Sequence, residues 1–120
     1  MDYNNKYDIP GFANDLGLSL EEVSELYAEF INELSSALIE LKVLINKEDV
    51  VKIQKIIHNM KGVSGNYRIT DIYEETIQIN DALKNTNYID FEKDLNDLFN
   101  ISHIALKEIR NFFIQRSISI

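Results

Sequence analysis

The segment Gln54-Lys55-Ile56-Ile57-His58-Asn59-Met60-Lys61-Gly62-Val63-Ser64-Gly65-Asn66 holds the residue types in this chain best suited to chemistry. An imidazole is a nucleophile and proton carrier near neutral pH. Around it Val50, Ile53, Ile57, Met60, Ser64 and Tyr67 recur at helical spacing, flanked by Ile56 and Val63, which marks a buried stripe. Stepping along a helix from Met60, the centre of that stripe, puts His58 about 160° away, on the water-facing side. Gln54, Lys61, Gly62 and Gly65 fall on the same side, bordered by Lys55 and Val51. The spacing therefore predicts an exposed histidine ringed by cations and bare backbone.

The two glycines need a reason, because each costs a helix interior about 1 kcal/mol relative to alanine. One is that the helix ends here, with Gly65 or Asn66 as its C-cap. The other is that missing side chains four and seven residues after His58 let a second protein approach the ring. The apolar period runs on through Val63, Ser64 and Tyr67, so Gly62 lies within the helix and takes the second reason. For Gly65 both stay open. Val51, an apolar residue one turn before Gln54, fits a docking patch.

The charge of the whole chain sharpens this picture. It has 120 residues, 12 Lys+Arg against 20 Asp+Glu, and a formal charge of −8. That balance argues against nucleic acid or anionic membrane as a partner, since both would be repelled. Between residues 50 and 70, however, Lys52, Lys55, Lys61 and Arg68 stand with no acidic residue, so the remainder carries −12. A basic island around an exposed imidazole suits a phosphoryl group or the acidic site of a partner. With no cysteine there is no thiol catalysis, thiolate zinc site or disulfide framework.

Other residues read as ordinary surface or core. His103 has Asn96, Asn100, Lys107 and Arg110 one or two turns away and lies on a polar face; pairing it with His58 around a metal would need carboxylates that the basic segment lacks. Glu21, Glu22, Glu25, Glu29 and the pair Glu74-Glu75 read as solvated faces, with no spacing suited to general acid/base work. No glycine-rich loop follows a strand, which leaves no nucleotide site and no intrinsic kinase activity. No cofactor or metal is expected.

The elements that must hold His58 are helical almost throughout. One Pro and four Gly in 120 residues leave few turn signals for strands. A short helix is predicted over residues 12–16, stopped at Gly17. Ser19 with Glu22 forms a capping box for a long helix burying Leu20, Val23, Tyr27, Phe30, Leu34, Ala37, Leu41 and Ile45. Asn46, with Asp49 three residues on, is expected to cap the helix that carries His58. Thr70 or Asp71 starts another, burying Ile69, Ile72, Thr76, Ile79 and Leu83. Asn85-Thr86-Asn87 reads as a turn, and a last helix from about Asp90 buries Phe91, Leu95, Leu98, Phe99, Ala105, Leu106, Ile109 and Phe112/Phe113. Four one-sided helices on short links predict an all-α, antiparallel up-down-up-down four-helix bundle with a short extra N-terminal helix. One domain over 1–120 is expected, with 1–9 and 117–120 as loose tails. The start lacks a basic, apolar leader and no run is long enough for a membrane span, so a soluble cytoplasmic protein is the expectation.

His58-Asn59-Met60-Lys61-Gly62 resembles the His-x-x-Lys-Gly signature of histidine-containing phosphotransfer (HPt) domains of phosphorelays, and the helix order resembles theirs over most of the chain. The resemblance implies that His58 Nε2 accepts a phosphoryl group from a receiver-domain aspartate and passes it to another receiver, the receiver supplying Mg²⁺. It implies that Lys61 offsets the phosphate charge and that Gly62 leaves room for phosphate and receiver. It further implies support from Asn80 and Lys84 on the following helix, where an amide fixes the imidazole tautomer. The implied partners are receiver domains of response regulators and hybrid histidine kinases. The alternative is an HPt-like interaction module that regulates a kinase or receiver without being phosphorylated. The chain departs from the family pattern at Val63, where a small residue is common, at Arg68, where a glycine is common, and at Asn80, where glutamine is usual.

Overall fold

Local signals set where each helix begins. The computed structural model describes residues 6–84 and 91–120, apart from the side chain of residue 91. Helix α1 spans Ile9–Leu16. It starts three residues before the expected position because the Asp8 carboxylate accepts a hydrogen bond from Gly11 N at 3.0 Å and Pro10 suits a first turn. Gly17 stops it with φ 69°, the left-handed geometry that glycine adopts without strain.

Helix α2 spans Leu20–Lys47 and opens on the expected capping box. Ser19 Oγ accepts from Glu22 N at 3.1 Å, and Glu22 Oε1 accepts from Ser19 N at 3.0 Å. Those bonds to Ser19 hold the Glu22 carboxyl below its ordinary range. Its 28 residues make a rod about 42 Å long at 1.5 Å per residue, which sets the 44 Å long axis of the molecule.

Asn46 does not cap the next helix. Leu44 and Ile45 still face the core, so α2 runs on to Lys47, and the chain reverses at Glu48 with φ 54°. Glu48 N and Asp49 N donate back to Ile45 O and Leu44 O, closing the end. Asp49 is the cap instead, its carboxylate accepting from Lys52 N at 3.3 Å.

Helix α3 spans Val50–Asn66, α4 spans Thr70–Lys84 and α5 spans Phe91–Ile114. Among the described residues there is no strand, and no helix is long and apolar enough to cross a membrane. The turn expected at 85–87 lies outside the described residues.

The apolar stripes meet in one core. Val23, Tyr27, Phe30, Leu34 and Leu41 of α2 join Ile53, Ile57 and Met60 of α3, Ile72 and Ile79 of α4, and Leu98, Ile109 and Phe113 of α5. Each such side chain contributes roughly 1.5–3 kcal/mol by leaving water. Helix α3 packs most extensively on α4, which itself packs on α5, while α2 lies against α3 and α5. An aromatic cluster closes one end: Tyr67 stacks 5.0 Å from Phe30, 5.2 Å from Tyr27 and 5.6 Å from Phe12. Ser102 of α5 is fully buried with no partner for its hydroxyl among the described residues.

Both expected tails are partly tied down. Tyr7 and Ile9 are buried, and the Tyr7 hydroxyl donates to Asp71 Oδ2 at 3.1 Å, beside a Lys6–Asp71 ion pair at 2.9 Å. At the other end Ile118 N donates to Phe113 O, and Ile118 and Ile120 pack against the core. Ile9 opens α1, while Tyr7, Ile118 and Ile120 anchor the chain outside any helix, a pattern that helical periodicity does not register.

Candidate functional site

Helix α3 turns its buried stripe of Ile53, Ile57, Met60 and Ser64 inward, which leaves His58 exposed as the spacing requires. A depression of about 350 Å³ lies beside the imidazole. Val51, Gln54, Lys55 and His58 line it from α3, and Asn80 and Lys84 line it from α4. Five candidate residues thus share one surface feature, although two of them come from another helix. Val51, at the edge of this depression, is 75% exposed.

Asn80 is the least accessible member at 9%, held by the neighbouring buried residues Ile79 and Leu83. Its side-chain amide makes no hydrogen bond among the described residues. An amide in this position keeps one acceptor and two donors for an imidazole or a ligand oxygen. Lys55 and Lys84 are exposed and place two cations around the same depression.

Lys61 follows His58 by one turn, the spacing at which side chains on a helix become neighbours. It is half-buried and lines the adjoining depression of about 810 Å³, with Gly62, Gly65, Arg68 and residues of the N-terminal segment. The structure thus splits the candidates across two adjacent depressions, with Gly62 also on the His58 side through a third cleft.

The glycines separate cleanly. A side chain at Gly62 would meet nothing within 4 Å, so no packing in the chain itself requires glycine there. At Gly65 an added Cβ would lie 3.1 Å from Cδ1 and Cε1 of the Tyr73 ring. Gly65 is not the C-cap, which is Tyr67 at φ −90°. It lets the ring of α4 lie close against α3, which is a packing reason for the missing side chain, while Gly65 also lines the depression beside Lys61. The signal was absent from the local sequence, because the neighbour that excludes a side chain is eight residues away across a helix turn.

The backbone of Arg68 is left-handed, with φ 61°. The chain reverses there between α3 and α4, with Ile69 N donating to Ser64 O at 2.9 Å. The side chain turns away from His58. It pairs with Asp15 and lies 5.5 Å over the Phe12 ring, tying α1 to the α3–α4 turn. The hydrogen bond to Asp15 raises the Arg68 guanidinium above its ordinary range. Lys52 is likewise engaged, 3.9 Å from Asp49. Of the basic island, Lys55 and Lys61 are therefore the cations beside the candidate site.

Two features of the surface were not drawn from the sequence. A cleft of about 800 Å³ between α2 and α3 carries His58 and Gly62 on one rim and Glu33 and Glu40 on the other. The regular spacing of glutamates on α2 was its only trace. Elsewhere Glu75, Asp94 and Asp97 bring carboxylate oxygens within 4.8 Å of one another across α4 and α5. Burial first, and then Asp94 and Asp97, push the Glu75 carboxyl up. His103 is exposed on α5, apart from that group.

The local arrangement can hold an anion near an exposed ring nitrogen, with cations on both sides and open backbone one turn on. Comparison with models of known families, with curated proteins and with solved structures finds no match for this chain.

Proposed function

We propose that the chain is a phosphorelay intermediate of the HPt kind. His58 takes a phosphoryl group from the aspartyl phosphate of one receiver domain and gives it to the aspartate of another. The observation that carries this reading is the single depression lined by His58, Gln54, Lys55, Asn80 and Lys84. The empty space over Gly62 supports it, because a glycine that its own fold does not need suits the approach of a partner.

The step is an in-line displacement. The Nε2 lone pair forms the N–P bond as the P–O bond to the aspartate breaks, and the carboxylate leaves with the electron pair. The proton stays on Nδ1, so positive charge grows on the ring during attack. The Asn80 carbonyl is suited to accept from Nδ1–H, which holds the tautomer that leaves Nε2 free. Lys61 and the cations at Lys55 and Lys84 offset the phosphoryl charge as point charges. The Mg²⁺ belongs to the receiver. Transfer is reversible and close to balanced, since the chain positions groups and adds no energy source, and it has no kinase activity of its own.

In this reading α2 to α5 form an antiparallel up-down-up-down bundle with α1 across it, acting in the cytoplasm. Contacts of Tyr27 with Phe113 and of Lys42 with Phe99 support that arrangement, because rising numbers in α2 meet falling numbers in α5.

The test mixes the chain with a receiver domain carrying labelled aspartyl phosphate and Mg²⁺. Acid-labile label is expected on the wild type and none on His58→Gln with an unchanged circular dichroism spectrum. A wild-type chain that binds the receiver and takes no label would overturn the carrier reading in favour of a non-phosphorylated interaction module.

A further inference from the structure

The cleft between α2 and α3 has two unlike rims, and one carries charge that the chain itself leaves unused. Its floor is apolar, made by Phe30, Leu34, Ala37, Ile56, Met60 and Val63. Glu33 and Glu40 stand on the α2 rim, opposite His58 and Gly62. Both glutamates are exposed, and neither joins an ion pair among the described residues. On the other flank of His58, toward α4, stand Lys55 and Lys84. The imidazole lies on the boundary between a negative and a positive flank.

The shape of the cleft limits what can fill it. Helix backbones have their hydrogen bonds satisfied internally, so no strand can be added here by main-chain pairing. Recognition has to run through side chains on an apolar floor with a polar rim, the mode by which an amphipathic helix lies in a groove. The lining runs over residues 30–40 of α2 and 56–66 of α3, a length of about 15 Å or three helical turns. Gly62 lets the backbone of such a helix come close on the α3 side.

Resting on the phosphocarrier reading, we propose that Glu33 and Glu40 select the partner by charge. The segment received in the cleft is an amphipathic helix of the receiver with Lys or Arg along the edge that faces α2. A partner with acidic residues on that edge is rejected, because like charges are then forced together over the apolar floor. The lysines on the opposite flank take the acidic pocket of the receiver, so the two flanks together set the docking orientation.

The experiment uses two synthetic helical peptides with the same apolar face, one with a lysine edge and one with a glutamate edge. Each is titrated into the full ¹⁵N-labelled chain. The lysine-edged peptide is expected to shift the amides of Ala37, Gly62 and Val63 and to bind on the order of tenfold tighter at low salt. The difference should shrink to below about twofold at 0.5 M salt. The double variant Glu33→Lys, Glu40→Lys should reverse the preference, with its melting curve confirming the fold. Equal binding of the peptides, a preference that survives the reversal, or shifts confined to another face would overturn the proposal. Labelling of His58 is read separately: no label on a wild type that still selects the lysine edge refutes the carrier reading alone, while label without selection refutes this one alone.

Discussion

Replacing Gly62 by alanine separates what this residue does for the fold from the room it is proposed to leave for a partner. An added methyl at this position meets nothing within 4 Å, and the residue lies inside α3 without a positive φ. Alanine should therefore recover most of the helix-propensity difference, about 0.5–1 kcal/mol. For a chain of 120 residues the entropy of unfolding makes that a rise in Tm of about 2–4 °C. The comparison variant is Gly65→Ala, where the methyl lies 3.1 Å from two atoms of the Tyr73 ring. The ring must yield by a few tenths of an ångström, at a cost of about 1 kcal/mol that cancels the propensity gain. Thermal melts of both variants, with the rate of phosphoryl transfer from a labelled receiver, form the assay. Gly62→Ala should melt higher than wild type and transfer more slowly, while Gly65→Ala should melt lower than Gly62→Ala. A Gly62→Ala protein that gains no stability would refute the claim that the fold does not need this glycine. One that gains stability and transfers at the wild-type rate would refute its role in admitting a partner.

Lys61→Ala should slow transfer to or from His58 about tenfold with an unchanged melting curve, and Lys61→Arg should recover part of it, since both carry a single positive charge; an unfolded alanine variant would show a structural role instead. Ser102→Ala removes a buried hydroxyl that has no partner among the described residues and should raise stability by up to about 1 kcal/mol in urea denaturation, whereas a loss would mean the hydroxyl is satisfied in solution. Burial, joined at Tyr7 by Asp71, pushes the phenols of Tyr7, Tyr27 and Tyr67 above the ordinary 10.0, so below pH 10 they are protonated whether folded or unfolded. Above pH 10 the unfolded chain releases protons that the folded chain keeps, so the urea midpoint should fall from there upward, less steeply in Tyr7→Phe; a flat profile to pH 11.5 would count against it. Arg68→Gly should melt higher than Arg68→Ala, because glycine relieves the left-handed backbone while both lose the contacts to Asp15 and Phe12.

Helix faces, caps and the exposure of His58 follow from the order of residues alone. They depend on a period of 3.6 residues and on hydrogen bonds within one turn, and both are local. Thus Met60 and Ile57 point inward, His58 points outward, and Ser19 with Glu22 starts α2, with no knowledge of the rest of the fold. Where two local signals competed, as at Asn46 and Asp49, the outcome depended on Leu44 and Ile45 still having a core to face.

Which side chains meet across helices was settled only by the tertiary structure, because the relative register of two packed helices comes from how their side chains interlock and not from either sequence. That register brings Asn80 and Lys84 of α4 to the edge of His58. It sets Tyr73 against Gly65 while leaving Gly62 bare, so two glycines that look alike in the sequence do different work. It also turns the glutamates of α2, ordinary as a solvated face, into the rim that faces His58 across an apolar cleft. The sequence by itself determined that an imidazole stands in water on a helix; the packing of that helix decided what surrounds it.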